Sequence, residues 1–259
     1  MKILFLTALG AGLAAAQVRE PLRFEVASVR PGNGTVSVKG GCRGIDSMDE
    51  LTEGQPTPPL GRCVITDGRL SHLIFIAFGL NSMELIQGAP DWAMAGYDRY
   101  TVQAKAEDPS KATEAQLMEM LQNLLVERFK LRFHWQTAER PGFRLVVGKN
   151  GPKLKQAASG EAVTSFGVRP NSTGPVNMSV RKYSMKMLAD ALSNFGPKQV
   201  VDRTGLPGEY DFDLSWDEKN GPAMTTAVQE QLGLKLEAQK VPVKLFVVDS
   251  AEKPKEGAN

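Results

Sequence analysis

Glu127-Arg128-Phe129-Lys130-Leu131-Arg132-Phe133 and Glu230-Gln231-Leu232-Gly233-Leu234-Lys235-Leu236 decide how this chain is read. Both open on Glu and align with each other, the best local match between two parts of the chain. Upstream of the first, Leu117, Met120, Leu121, Leu124 and Leu125 recur at i, i+3, i+4, i+7 and i+8, an amphipathic helix stripe. Thr113 with Gln116 three residues later resembles a capping box at its start. The counterpart upstream of the second stretch is Thr225 to Leu232. Downstream, Pro141 to Val147 and Pro242 to Val248 read as hairpin arms, both containing Val-Val near the end.

Working outward, the same order of elements recurs on the N-terminal side of each stretch. Ser71 precedes Leu73, Ile74, Ala77 and Phe78, and Ser184 precedes Met187, Leu188, Ala191, Leu192 and Phe195. Both serines stand where an N-cap accepts a free backbone N–H. Short apolar segments follow, Leu85-Ile86 and Val200-Val201, then Gly/Pro-rich turns at residues 88–96 and 204–208. Tyr-bearing strands come next, Tyr100 to Ala104 and Tyr210 to Leu214. The expectation is an internal duplication: two tandem β-α-β-β-α-β-β lobes of α+β class with mixed or antiparallel sheets. The predicted boundaries are a leader at 1–16, an N-terminal strand and disulfide loop at 17–62, a first repeat at 63–156, a linker at 157–163, a second repeat at 164–253 and a tail at 254–259. The polar stretch from Glu252 onward is expected to fray.

The chain has 259 residues, 42% hydrophobic and 23% charged, with a net charge of +2. Collagen, coiled coil and wholesale disorder are excluded by that composition, and the charge balance does not argue for nucleic acid as a partner. Lys2 followed by the uncharged run Ile3 to Ala16, with Ala14-Ala15-Ala16 before Gln17, reads as a secretory signal peptide. The run is shorter than the roughly 20 residues a membrane-spanning helix needs, so no transmembrane anchor is expected after cleavage. Cys42 and Cys63, the only cysteines, are expected to pair in an oxidising compartment, the periplasm or outside the cell. With two His and no Cys or His cluster, no metal or cofactor is expected.

Candidate binding residues come from the two turns. Asp202-Arg203-Thr204-Gly205 offers a carboxylate and a guanidinium, and Asp91-Trp92 with Asp98-Arg99 occupies the comparable region of the first half. Turn chemistry accounts for the same residues: Asp ends a strand, Gly supplies unusual backbone angles and Pro207 fixes one. Trp92, in a loop beside Pro90, is a candidate partner anchor. No G-x-S-x-G occurs, and His72 and His134 have Met185 and Glu237 as their counterparts, so no catalytic residue is assigned.

Several segments resemble a large soil-associated family of uncharacterised proteins expanded in Acidobacteria. They are Phe24 to Pro31, Gly88-Ala89-Pro90-Asp91-Trp92, Asp98-Arg99-Tyr100, Leu124 to Leu131, Gly151 to Lys155, Val201 to Phe212 and Gln231 to Glu237. That resemblance implies no known activity. The second half also resembles, through Leu188, Leu192, Val200 to Asp202, Gly208 and Leu232-Gly233-Leu234, the short N-terminal domain of secretins and TonB-dependent receptors. This second resemblance implies a docking module. The functional expectation is an exported, non-catalytic binding or docking protein whose partner is an envelope or secreted protein. The alternative is an extracytoplasmic hydrolase or small-ligand binder using a cleft between lobes.

Overall fold

The structure, a computed structural model, describes residues 20–34, 38–47, 57–157, 163–167, 175–196 and 198–254. The predicted leader and most of the predicted linker and tail lie outside these residues.

The first half builds a four-stranded antiparallel sheet. Its strands are β1 (Val26–Pro31), β2 (Lys39–Arg43), β3 (Arg62–Gly68) and β5 (Tyr100–Lys105), in the order β1-β5-β3-β2. Helices α1 (Leu70–Ala77) and α3 (Glu114–Arg128) cover one face. Between them lie a 3-10 turn at Met83–Leu85, the short strand β4 (Ile86–Gln87) and the one-turn helix α2 (Asp91–Met94). The stripe Leu117, Leu121 and Leu125 is fully buried against Leu73, Ile74, Ile65 and Val102. Each such side chain stabilises the fold by roughly 1.5–3 kcal/mol. Cys42 and Cys63 sit directly opposite each other on β2 and β3 and form the expected disulfide.

The second half repeats the plan with β7 (Lys155–Gln156), β8 (Val163–Gly167), β9 (Val176–Ser184) and β11 (Glu209–Trp216) in the order β7-β11-β9-β8. Helices α4 (Met185–Phe195) and α5 (Met224–Leu232) pack on it through Leu188, Leu192, Ala227 and Val228. The α+β class with antiparallel and mixed sheets is as read from the sequence.

The caps divide. Thr113 and Gln116 form the capping box, and Ser184 accepts from the Met187 N–H at 3.2 Å, both as expected. Ser71 is not a cap. Arg69 holds that position and Ser71 is buried one turn in. The helix starts at Leu70, so Ser71 falls inside its first turn, and the Arg69 N–H donates to His72 Nδ1 at 3.3 Å, the N3-to-N-cap half of a capping box. At the start of α5, the Met224 N–H donates to the Glu218 carboxylate at 2.9 Å.

The largest departure concerns the arms. Residues read as a strand plus a separate hairpin arm form single strands, β6 (Arg132–Val147) and β12 (Leu234–Ser250). They pair with each other antiparallel along nearly their whole length. Pro141 and Pro242 signalled breaks, yet both lie inside this ladder, opposite Lys240 and Glu139. The Phe143 N–H donates at 2.8 Å to the Gln199 carbonyl, away from β12. Pro141 shares its alternation, so its missing donor also faces away and the β6–β12 ladder loses no bond. Pro242, opposite Glu139, falls in the same class of pair.

This central sheet has the order β10-β6-β12-β4, with β10 spanning Val200–Asp202. The pairing is reciprocal. β4 of the first half lies parallel on β12 of the second, Ile86 opposite Phe246. β10 of the second half lies parallel on β6 of the first, Val200 opposite Phe143. The halves therefore share one sheet. Phe246 also closes an aromatic cluster with Phe78, Phe133 and Trp135.

Candidate functional site

Of the candidate residues, Asp91 opens α2 after Pro90, whose φ of −65° is preset for that place. Trp92 is half-buried and packs on the first core, while Tyr97 stands fully exposed. Lys253 Nζ sits 3.1 Å from the Asp98 carboxylate and 5.9 Å from the Trp92 ring centroid. The Glu252 N–H donates to the Phe129 carbonyl at 2.7 Å. The chain is thus pinned through Lys253, against the expectation of fraying from Glu252, because a carboxylate and a helix-end carbonyl await it.

Arg99 Nη1 donates to the Asp67 carbonyl at 3.1 Å, and the Arg99 carbonyl accepts from the Gly32 N–H at 2.7 Å. The buried Asp67 carboxylate accepts from the backbone N–H of Asn33 at 2.6 Å and of Gly34 at 3.2 Å. Arg69 Nε donates to the Gly96 carbonyl at 3.1 Å. Burial, and then the neighbouring Arg69 and Arg99 charges, hold the His72 imidazole below its usual range. Burial, with Asp98 adding repulsion, pushes the Tyr100 phenol up to about 12. These contacts brace the turn around its own backbone.

In the second half, Asp202 Oδ1 accepts from the Thr204 N–H at 2.9 Å and its hydroxyl at 2.8 Å. The Arg203 N–H donates to the Leu145 carbonyl at 2.9 Å, and its guanidinium to the Asp202 carbonyl at 3.2 Å. Asp202 and Arg203 are occupied in holding a turn. No hydrogen bond or ion pair joins Asp91, Trp92, Asp98 or Arg99 to Asp202 or Arg203.

The two histidines lie apart in function. His134 Nδ1 is 2.9 Å from Asp249 Oδ1 on the exposed surface, while His72 is engaged at the start of α1. Neither bonds a serine or cysteine side chain. Among the described residues no group of three or more His, Cys, Asp or Glu is placed to hold a metal ion. No described helix is long and apolar enough to cross a membrane.

A different surface stands out once register is known. β1, β5, β3 and β2 bury one face, with Val102, Ala104, Cys63, Ile65 and Cys42 turned to the helices. Alternation puts the other residues on the open face. Register aligns Val26, Lys105, Arg62 and Arg43 in one row across the four strands. Arg30 lies opposite Thr101, and Lys39 opposite Thr66, each four residues along its strand from that row. The four strands place five basic side chains on this face, and Glu25, just ahead of β1, pairs with Lys105 there at 2.7 Å. Arg30 and Arg62 are exposed on it, so the face keeps positive charge that favours an anion.

A cavity of about 970 Å³ opens here, reaching Arg30, Arg62 and Lys105 on one side and Met120 and Leu124 of α3 on the other. The sequence reading missed these residues. The signal in it was the alternation of Arg62-Cys63-Val64-Ile65; the alignment of the strands was not in it.

Comparison with curated proteins and with solved structures gave no match. The matched family segment begins inside α1, so β1 to β3 and the disulfide precede it. A family model described as a protein of unknown function (DUF3738) matches residues 71–251, about two thirds of the chain, and the chain belongs to that family.

Proposed function

We propose that this chain is an exported, non-catalytic binding module of the cell envelope or its surroundings, released from its leader at residues 1–16. Its binding surface is the open face and outer edge of the first sheet. The observation that carries this reading is the pair of exposed arginines, Arg30 and Arg62, on one open face of a sheet backed by helices, beside a large cavity. Arg30 and Arg62 are exposed side chains held in register by two hydrogen-bonded strand pairs, so their positions are set before any ligand arrives. Preorganised charge of this kind favours binding because little side-chain and backbone freedom is lost on association. The resemblance to the secretin-type docking domain supports the same reading, as does the disulfide, which suits an oxidising compartment. In this reading the two similar halves arose by duplication, and the second buttresses the first through the shared central sheet.

The test is affinity capture. Residues 17–259 with the disulfide formed are incubated with solubilised envelope and secreted fractions, beside the double variant Arg30→Glu/Arg62→Glu. The expected result is a bound species retained by the native chain and lost by the variant. Retention of nothing by either, or of the same species by both, would overturn the proposal.

A further inference from the structure

We infer that the occupant of this surface is an extended acidic polypeptide segment that adds to the sheet as a strand along β1. The inference rests on the binding reading above and names its ligand.

Among the described residues β1 is an edge strand, bonded on one side only, to β5. The Gly32 N–H donates to the Arg99 carbonyl in the same register that pairs Arg30 with Thr101 and Ser28 with Gln103. Alternation then turns the N–H and C=O groups of Ala27 and Val29 outward. Pro31 falls on that outward set, where its missing N–H costs the β1–β5 ladder nothing. An incoming strand finds free donors and acceptors at Ala27 and Val29, the main-chain half of strand addition.

The side-chain half comes from the cavity. Its lining draws on both faces of the sheet at this edge. Val26, Ser28, Arg30, Lys105 and Arg62 belong to the open face, and Ala27 lies with Met120 and Leu124 on the face toward α3. A cavity that touches both faces here passes along the β1 edge. A strand seated in it would send alternate side chains to the two sides. One set lies beside Arg30 and the other meets the apolar flank of α3. The sequence chemistry selected is acidic alternating with apolar. Glu25 and Glu127 lie in the same lining but are paired, with Lys105 at 2.7 Å and Arg23 at 3.0 Å, leaving Arg30 exposed on β1 itself, while Arg62, two strands in, adds positive potential from the open face.

The probe is a fluorescein-labelled peptide of four Glu-Val repeats, followed by anisotropy against residues 17–259 with the disulfide intact. Saturable binding is expected, weakened at least about tenfold by Arg30→Glu/Arg62→Glu. Two further probes carry N-methyl groups on all Val amides or on all Glu amides. Alternate amides of an added strand face β1, so one methylated probe should lose binding and the other keep it. Because these changes are in the peptide, folding of the protein is not in question. A block peptide of four Glu then four Val should bind more weakly.

Equal binding of all four peptides, with displacement by dextran sulfate, would overturn strand addition. It would leave a face for anionic polysaccharide, and the wider binding reading would survive. Failure of the Glu-Val peptide to bind would overturn the inference alone when envelope capture still shows a ligand lost on charge reversal. Failure in both experiments would remove both.

Discussion

Asn81 and Gln199 exchange two amide hydrogen bonds across the junction of the halves. Asn81 Nδ2 donates to Gln199 Oε1 at 3.2 Å, and Gln199 Nε2 donates to Asn81 Oδ1 at 2.7 Å. Each residue lies between the first helix of its half and the short strand that crosses to the other half. The Gln199 carbonyl also accepts from the Phe143 N–H, and a Cβ at Gly142 would lie 2.6 Å from that same oxygen. Asn81→Ala and Gln199→Ala are each expected to cost about 1 kcal/mol, the worth of a partly buried hydrogen-bonded pair. The double variant should cost clearly less than the two together, by about 0.5–1.5 kcal/mol. Urea unfolding of the four proteins measures this; strict additivity would mean that the pair does not couple the halves.

Lys130, two residues past the end of α3, and Gly233, next after α5, are both left-handed, with φ 49° and 65°. An L side chain pays for this backbone and glycine does not. Lys130 is exposed, so Lys130→Gly should stabilise the chain by about 0.5–1 kcal/mol. Gly233 has no such freedom, because an added Cβ would stand 2.2 Å from the Gly151 carbonyl oxygen. Gly233→Ala should therefore lose about 2 kcal/mol or more. Thermal melts of both variants give the two signs.

His72 ties stability to pH. Its folded pKa lies below 6.5, chiefly through burial and then through the Arg69 and Arg99 charges. Below 6.5 the unfolded chain binds the proton more readily than the folded one, so stability rises with pH through this window. It is fully present above 6.5 and is lost as pH falls toward the folded pKa. The urea midpoint of the native chain should drop between pH 7.5 and 5.5 by more than that of His72→Asn. Parallel pH profiles for the two would remove the histidine as the cause.

The Cys42–Cys63 bond closes a separation of 21 residues. In the chain-entropy description, closure of a loop this long stabilises the fold by about 3 kcal/mol. Cys42→Ala/Cys63→Ala should lower stability by about that amount, and reductant should do the same to the native chain. The second half should be touched least, since its core shares no residue with the β2–β3 pair. Hydrogen exchange along the chain would show whether protection falls first in β2 and β3.

Much of the local architecture was legible in the sequence. The Leu117–Leu125 stripe, the Thr113–Gln116 box and the Ser184 cap depend on residues three or four apart, whose contacts helix geometry guarantees. The pairing of two lone cysteines needed no geometry. Ser71 misled because the helix begins at Leu70, one residue ahead of it, which places the serine inside the first turn. Pro141 and Pro242 misled because a proline breaks a ladder only when its missing donor faces the partner.

Sequence by itself determined the α+β class, the amphipathic stripes of the main helices and the caps at Thr113 and Ser184. These are near-neighbour properties, set by side-chain period and by backbone groups within a turn. Tertiary structure alone decided that the halves trade short strands across a shared sheet. It alone decided that Arg43, Arg62 and Lys105 stand in one row. Strand register is a long-range choice. It follows from which apolar faces can be buried together, and a shift of one residue would turn that row of charges inward.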